Sequence, residues 1–572
     1  MNSNINAFSL ITLSLILTAC GGGGNPPPPT RSITGVAAAG APIVGTVKIK
    51  DAAGTEKIVN ISSDGSYSVD TASMTDPFIL KADGTVSGKA FSITAPATSR
   101  DIGETVNITP LTDIVTGNVM GQEGQNAYQT GNFTVITDGD ITAQEASLRQ
   151  SLTGILTDAG ADPTQSIIHT NFSANHTGFD LAMDMLDVEV DRTTDIATIS
   201  LVDGFSSVTD DMTTQTSILT LSVAGNSTTS IVEYNTILSM INNFVTDINA
   251  NIDKVTLASD YFASTFLDDG INNSDVFLSN IGAENPSYIL SISNIAINKL
   301  DLTSGSEYAD IRFTVSFNGV LYDNQVKMQL VHDGTKWIFN GNQKLASISL
   351  RPYAEKKSTY QRGVGETTAY SSGLSLTMDI VDASDNSIDN GITQATLSGP
   401  GLTSPVVFMP HADLSVRFVN GSSWNGFIPL IDARINEIKE GGIYSLVVDY
   451  NDGSAKQATY QIRLNKPPIT SAQAASQSYT DITIPTPAAA LDNGSGDLSV
   501  TWSLGNELTP FELDARSSCF NGAFGSTNSI LLSNNTMIMT GTDYTGTCEG
   551  ILRLTTLDKF NGEVVTTYEI TN

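Results

Sequence analysis

Cysteine, histidine and positive charge are all scarce in this chain. Its 572 residues hold 3 cysteines and 4 histidines, and its 28 lysines and arginines face 60 aspartates and glutamates, for a formal charge of -32. So few cysteines exclude a disulfide-dense scaffold and a zinc ribbon, and no Cys-x-x-Cys occurs. The histidines, His169, His176, His332 and His411, form no His-Glu-x-x-His. A Gly-x-Ser-x-Gly elbow and a phosphate-binding Gly-Lys-Ser/Thr loop are also missing, so no catalytic residue is assigned. The acidity repels phosphate backbones, which excludes nucleic acid as a partner, and suits solubility outside the cell. Beyond the first twenty residues no apolar run is long enough to cross a bilayer as a helix.

What is present at the start is more telling. An apolar run over residues 7–17 leads to Leu17-Thr18-Ala19-Cys20, followed by four glycines and Asn25-Pro26-Pro27-Pro28-Pro29. The run fits the core of a signal peptide and is too short to span a membrane. This stretch resembles a bacterial lipobox. The resemblance implies removal of residues 1–19, a diacylglyceryl group on the Cys20 thiol and an acylated (for example palmitoylated) new amine, with more than one chain giving stable anchoring. Gly21, where retained inner-membrane lipoproteins carry aspartate, implies the outer membrane and leaves the facing side open. Residues 20–31 then form a glycine-to-proline spacer. The other two cysteines, Cys519 and Cys548, are expected to form a disulfide in an exported chain, worth ~3 kcal/mol by loop closure; the alternative is two unpaired buried thiols.

The length suggests about four domains. In residues 32–109 alternation through Val47, Ile49, Ile58 and Ile61 reads as strands, and Asp51-Ala52-Ala53-Gly54 and Ser63-Asp64-Gly65-Ser66 read as turns. With Gly40-Ala41-Pro42-Ile43-Val44-Gly45, this pattern resembles the carboxypeptidase regulatory-like domain. That implies a transthyretin-like β-sandwich, an accessory module without chemistry of its own.

Residues 110–252 read as largely helical with short strands. Thr142-Ala143-Gln144-Glu145 fits a capping box ahead of Leu148, Leu152, Ile155 and Leu156, and Gly160 suits the C-terminal cap. Asp138-Gly139-Asp140 lacks the spaced oxygens of a calcium loop and reads as turn and cap. Strands are expected at 197–202 and 218–223. A long amphipathic helix follows through Tyr234, Ile237, Leu238, Ile241, Phe244, Val245, Ile248, Ile252 and Val255.

A second helix over 257–267 precedes alternating strands at Ile311, Phe313, Val315 and Phe317 and at Val326, Met328 and Leu330. His332-Asp333-Gly334-Thr335 is the next hairpin, before Trp337 and Phe339. This order, over 253–350, resembles a nuclear-transport-factor-2-like cone. The resemblance implies an α+β fold able to enclose an apolar pocket, and some members are isomerases or dehydratases. Tyr261, Phe262, Trp337 and Phe339 are candidates to line such a pocket or to fill its core. Acid and base candidates are His332, Asp260, Asp268, Asp269, Tyr261, Tyr288 and Tyr308, and Asn340 to Gln343 make a polar strand end.

Residues 351–368, charged and glycine-bearing, read as a linker. Short alternating strands over 369–465, and again over 468–572 with the cysteine pair, suggest two immunoglobulin-like sandwiches separated by Lys466-Pro467-Pro468. Asp382, Asp385, Asn386 and Asp389 cluster between strands and suit either a calcium ion or a solvated turn; no other cofactor is called for. The expected fold class is multidomain and mainly β, with an α and α+β middle. Three functions fit: a non-catalytic, envelope-anchored protein binding or scaffolding a protein or glycan partner; a small-ligand carrier or enzyme using a 253–350 pocket; and a structural subunit of a surface appendage. The anchor is tested by metabolic labelling with palmitate: the wild type incorporates label and pellets with membranes, and Cys20→Ala does neither. Labelling that persists in C20A contradicts the lipobox reading.

Overall fold

The structure is a computed structural model that describes residues 31–214, 221–222, 227–379, 392–411, 414–419, 426–439, 441–450, 457–464, 466–483, 498–505, 508–517, 520–521, 536–541, 549–558 and 562–571. Cys20, Cys519, Cys548 and the acidic turn Asp382, Asp385, Asn386 and Asp389 lie outside these residues, as does most of the strand expected at 218–223. The chain is multidomain and mainly β, with its helices gathered in the middle. No described helix is long and apolar enough to cross a membrane.

The first unit is built from alternation. Strands β1 (Ser32–Val36) and β4 (Ser66–Asp70) pair with each other. Strands β2 (Val44–Asp51), β3 (Glu56–Asn60), β5 (Phe78–Val86) and β6 (Lys89–Ala97) form an antiparallel sheet in the order β3-β2-β5-β6. Val47 and Ile49 are fully buried. The Asp51 carboxylate ties its turn by accepting from the amides of Ala53, Thr55 and Thr75, and Gly65 supplies the positive φ of the Asp64-Gly65 hairpin.

Helices α1 (Pro110–Met120), α2 (Gly124–Thr130), α3 (Asp138–Ser151), α4 (Thr153–Asp158) and α5 (Phe179–Asp184) follow. The capping box expected at Thr142 is not the start of α3. Thr137 is the cap, accepting from the Asp140 amide, while Thr142 sits inside the helix and bonds the Asp138 carbonyl. Glu145 is buried and accepts from Ser166 and from the Ile168 amide. Both positions offer a threonine with an acidic residue three further on, and only burial separates them. Gly160, at φ +78°, ends α4. A small sheet of β7 (Leu186–Asp191), β8 (Ile196–Leu201) and β9 (Ser207–Asp211) closes this region.

Helix α6 (Ser227–Asn249) buries Ile231, Tyr234, Ile237, Ile241, Phe244 and Ile248 on one face. It packs with α7 (Lys254–Tyr261) and α8 (Ser274–Asn280) beside a curved antiparallel sheet of β10 (Leu290–Asp301), β11 (Tyr308–Phe317), β12 (Val320–His332) and β13 (Trp337–Gly341). Phe244 meets Tyr261, Phe262 and Phe339 edge-on, with ring centroids 4.9–5.8 Å apart. The unit around this sheet therefore takes in residues ahead of 253.

The stretch 351–368, expected as a linker, is strand. β14 (Ser347–Gln361) and β15 (Gly365–Asp379) form a long hairpin, and the C-terminal strand Glu563–Thr571 pairs in parallel with β14. The charges that suggested a linker are answered from the far end of the chain. Arg351 faces Glu563 at 3.8 Å, Lys357 faces Glu569 at 3.0 Å, and Thr567 donates to Glu355 at 2.6 Å. The other face of the hairpin joins a core with Leu397, Phe408, Tyr444 and Leu446 from the sheet of 392–463.

Candidate functional site

Between the concave face of the four-stranded sheet and the helices lies a cavity of about 490 Å³. Alternation along β10, β11 and β12 gives it an apolar wall of Leu290, Ile292, Phe313, Val315, Val326 and Met328, with Phe339 of β13. The helical side contributes Phe244, Phe277 and Ile281. Its polar lining is as extensive: Asp268, Asp269, Asn280, Asn342, Lys327 and Lys344, together with Tyr322, Asp323, Ser347, Ser349 and Arg351.

The acidic end is fixed by the strand end after β13. Gly341 adopts φ +76° with Leu267 so close that a Cβ there would lie 2.2 Å from its carbonyl oxygen, so the chain must have glycine to press against 267–268. That contact lets the Asn342 amide donate to Asp268 Oδ1 at 2.9 Å, while its side-chain amide donates to Asp269 Oδ1 at 2.8 Å. Asn342 Oδ1 in turn accepts from the amides of Asp269 and Lys344. Burial, and then the neighbouring Asp269 charge, push the Asp268 carboxyl up to about 7. Burial also raises Asp269, against the pull of Asn342 and Lys344. Lys327 lines the cavity while keeping contact with solvent. The protein around it, then the charges of Lys344 and Arg312, lower its ammonium to about 8. One cavity thus holds a carboxyl raised and an amine lowered from their ordinary values, a combination suited to hydrogen-bonding a polar head or moving a proton.

Of the residues expected to line a pocket, Phe339 does so and Tyr261, Phe262 and Trp337 do not. Those three are buried in the core beside it. The Tyr261 hydroxyl donates to Asp247 at 2.7 Å, the Trp337 indole donates to Glu233 at 2.7 Å, and Phe262 stacks with Phe244, Phe266 and Phe277. Asp260 pairs with Lys336 at 3.6 Å on the surface, and His332 packs its ring on Trp337 at the hairpin. Asp333 caps that hairpin through Thr335 and Lys336, and these bonds hold its carboxyl down at about 2. Tyr288 is exposed, and the Tyr308 hydroxyl accepts from Lys299. Nothing in the sequence marks Lys327, one lysine within β12, or Lys344, one lysine between β13 and the next strand.

Asp268 gives the site a pH signature. A carboxyl whose folded-state value is raised binds its proton more tightly when folded, so its stabilising contribution is complete below pH ~4 and fades as pH rises to ~7. The melting temperature of D268N relative to wild type is therefore expected to rise from pH 5 to pH 8, read by thermal denaturation at each pH. Asp184, raised to the same range, is present in both proteins and cancels. A difference that stays constant across that range contradicts the burial of an ionisable Asp268.

No family model matches the chain, and no curated protein does. Among solved structures, the chain is similar at 10% identity to an adhesin described as Ca2+-stabilised and as helping an Antarctic bacterium reach out and bind ice, covering 94% of this chain and 99% of that one with a TM-score of 0.13. At that score the likeness assigns neither fold nor function.

Proposed function

We propose that this protein is an exported lipoprotein, held in the outer membrane through Cys20, that binds a small amphipathic molecule in the cavity beside β10–β13. The observation that carries the reading is the cavity itself. Its volume of about 490 Å³ falls within the ~300–1,000 Å³ of small-molecule sites, and its lining, divided almost evenly between apolar and polar side chains, suits a molecule with one apolar and one polar end. The fitting ligand has an apolar body against Phe313, Val315 and Met328 and a hydrogen-bonding head toward Asp268, Asp269 and Lys327. The glycine and proline spacer of residues 20–31 keeps the domains off the membrane, and the C-terminal sheets face outward toward a protein or glycan partner.

An enzymatic use of the same cavity is the second reading, favoured by Asp268. A carboxyl near 7 is matched to general acid and base work at neutral pH. The two readings divide on turnover: a carrier returns its ligand unchanged, and an enzyme loses turnover but not binding in D268N.

Binding is tested on the mature chain with the neutral fluorophore N-phenyl-1-naphthylamine. Saturable fluorescence enhancement is expected in wild type. Val315→Trp, which fills the cavity, is expected to weaken it at least about tenfold, ~1.4 kcal/mol, with an unchanged circular dichroism spectrum. Ile443→Trp, on an exposed position of the C-terminal sheet, leaves it unchanged. Absence of saturable binding in wild type, or binding indifferent to V315W, overturns the proposal.

A further inference from the structure

Away from the cavity, a second cluster of ionisable groups surrounds α5. Asp180 and Asp184 are one helical turn apart and so share a face of that helix. The loop before it folds back, with His176 at φ +61° and Gly178 at φ +56°, and lays the imidazole over the same face. His176 Nδ1 lies 2.8 Å from Asp184 Oδ2 and 3.2 Å from the hydroxyl of Tyr234 on α6, and the His176 amide donates to Asp180 Oδ2 at 2.6 Å. One potential ligand atom from each of His176, Asp180 and Asp184 falls within 4.8 Å of the others.

The burial of the two aspartates is hard to explain with protein groups alone. Asp180 is 0% exposed, and the Asp184 side chain is 2% exposed. Each keeps a buried Oδ1 with no hydrogen-bond partner. Leaving such an atom unmet typically costs 1–3 kcal/mol or more, and two unneutralised buried carboxylates cost more still. Among the described residues their ion pairing is with His176 alone. Lys89 and Arg312, which line a small cavity shared with Asp184, are drawn to Asp187, which lies 3.3 Å from Lys89. On its other side Asp184 presses on the N-terminal sandwich: a Cβ at Gly40 would lie 2.9 Å from its Oδ1.

We propose that His176, Asp180 and Asp184 bind a first-row divalent cation, zinc in the first instance, which clamps the loop and α5 beneath α6. The donor set selects the ion. One imidazole nitrogen with two carboxylates suits zinc, whereas calcium takes six to eight oxygens. Bonds of ~2.1 Å place neighbouring ligands roughly 3.4 Å apart, so the trio closes on the ion with side-chain shifts of about an ångström. Tyr234, fully buried with its hydroxyl on His176, is placed to hold the ring or to add a fourth oxygen.

The test uses the full mature chain without a histidine tag, stripped with EDTA, reloaded with Zn2+, Mn2+, Co2+ or Ca2+ and desalted. About one equivalent of zinc is expected to remain by elemental analysis and to raise the melting temperature. Cobalt is expected to give ligand-field bands in the visible. Both are lost in His176→Gln and Asp180→Asn. If either variant fails to fold, the wild-type zinc stoichiometry and cobalt spectrum decide. No retained zinc and no thermal shift in the wild type overturns the proposal and leaves the acids sharing a proton. Retention of calcium alone, or zinc retained undiminished by folded variants, overturns it equally.

Discussion

The buried face of α6 is the constraint on which the middle of the molecule depends. Its apolar residues recur in steps of three and four, and each large one removed from water contributes about 1.5–3 kcal/mol. The same face sets two environments. Near its start Tyr234 touches His176 above α5, and Glu233 receives the Trp337 indole. Further along, Phe244 packs against Tyr261, Phe262 and Phe339 and forms part of the cavity wall. The aromatic cluster and the cavity therefore share a wall, since Phe244, Phe277 and Phe339 belong to both.

Electrostatics divides the molecule in the same way. Among the described residues, exposed carboxylates such as Asp64 and Asp333 cap turns. A few sit where water is excluded. Asp268 and Asp184 both reach about 7 for the same two reasons, burial first and a second aspartate beside them. Their surroundings differ. Asp268 faces an open cavity with lysines along its lining, while Asp184 faces an imidazole and the Asp180 carboxylate, one of whose oxygens accepts from the His176 amide.

Local patterns were legible in the sequence and distant ones were not. The periodicity from Tyr234 to Ile248 and the Asp333-Gly334 hairpin come from neighbouring residues, and both stand in the structure, although the helix expected to run through Val255 ends at Asn249 and leaves Val255 exposed on α7. The start of α3 was misplaced because Thr137 and Thr142 carry similar cap chemistry, and burial of Glu145 against 166–168 decides between them. Residues 351–368 read as a linker in the sequence because the partners of their charges lie in 563–571, some two hundred positions on. Asp268-Asp269 was visible as a dipeptide, but a cavity depends on the spacing of helix and sheet. His176, Asp180 and Asp184 repeat at four-residue intervals, a signal that was present, although their burial and the approach of Tyr234 were not.

The central claim is that the interior between α6, α8 and the sheet is open enough to hold a small apolar body. Diffraction from crystals of the mature protein under xenon pressure tests it most directly. An anomalous peak in contact with Phe313, Met328 and Phe339 is the result this account predicts. No xenon there, with side chains from the sheet and α8 closed over the space, would contradict it.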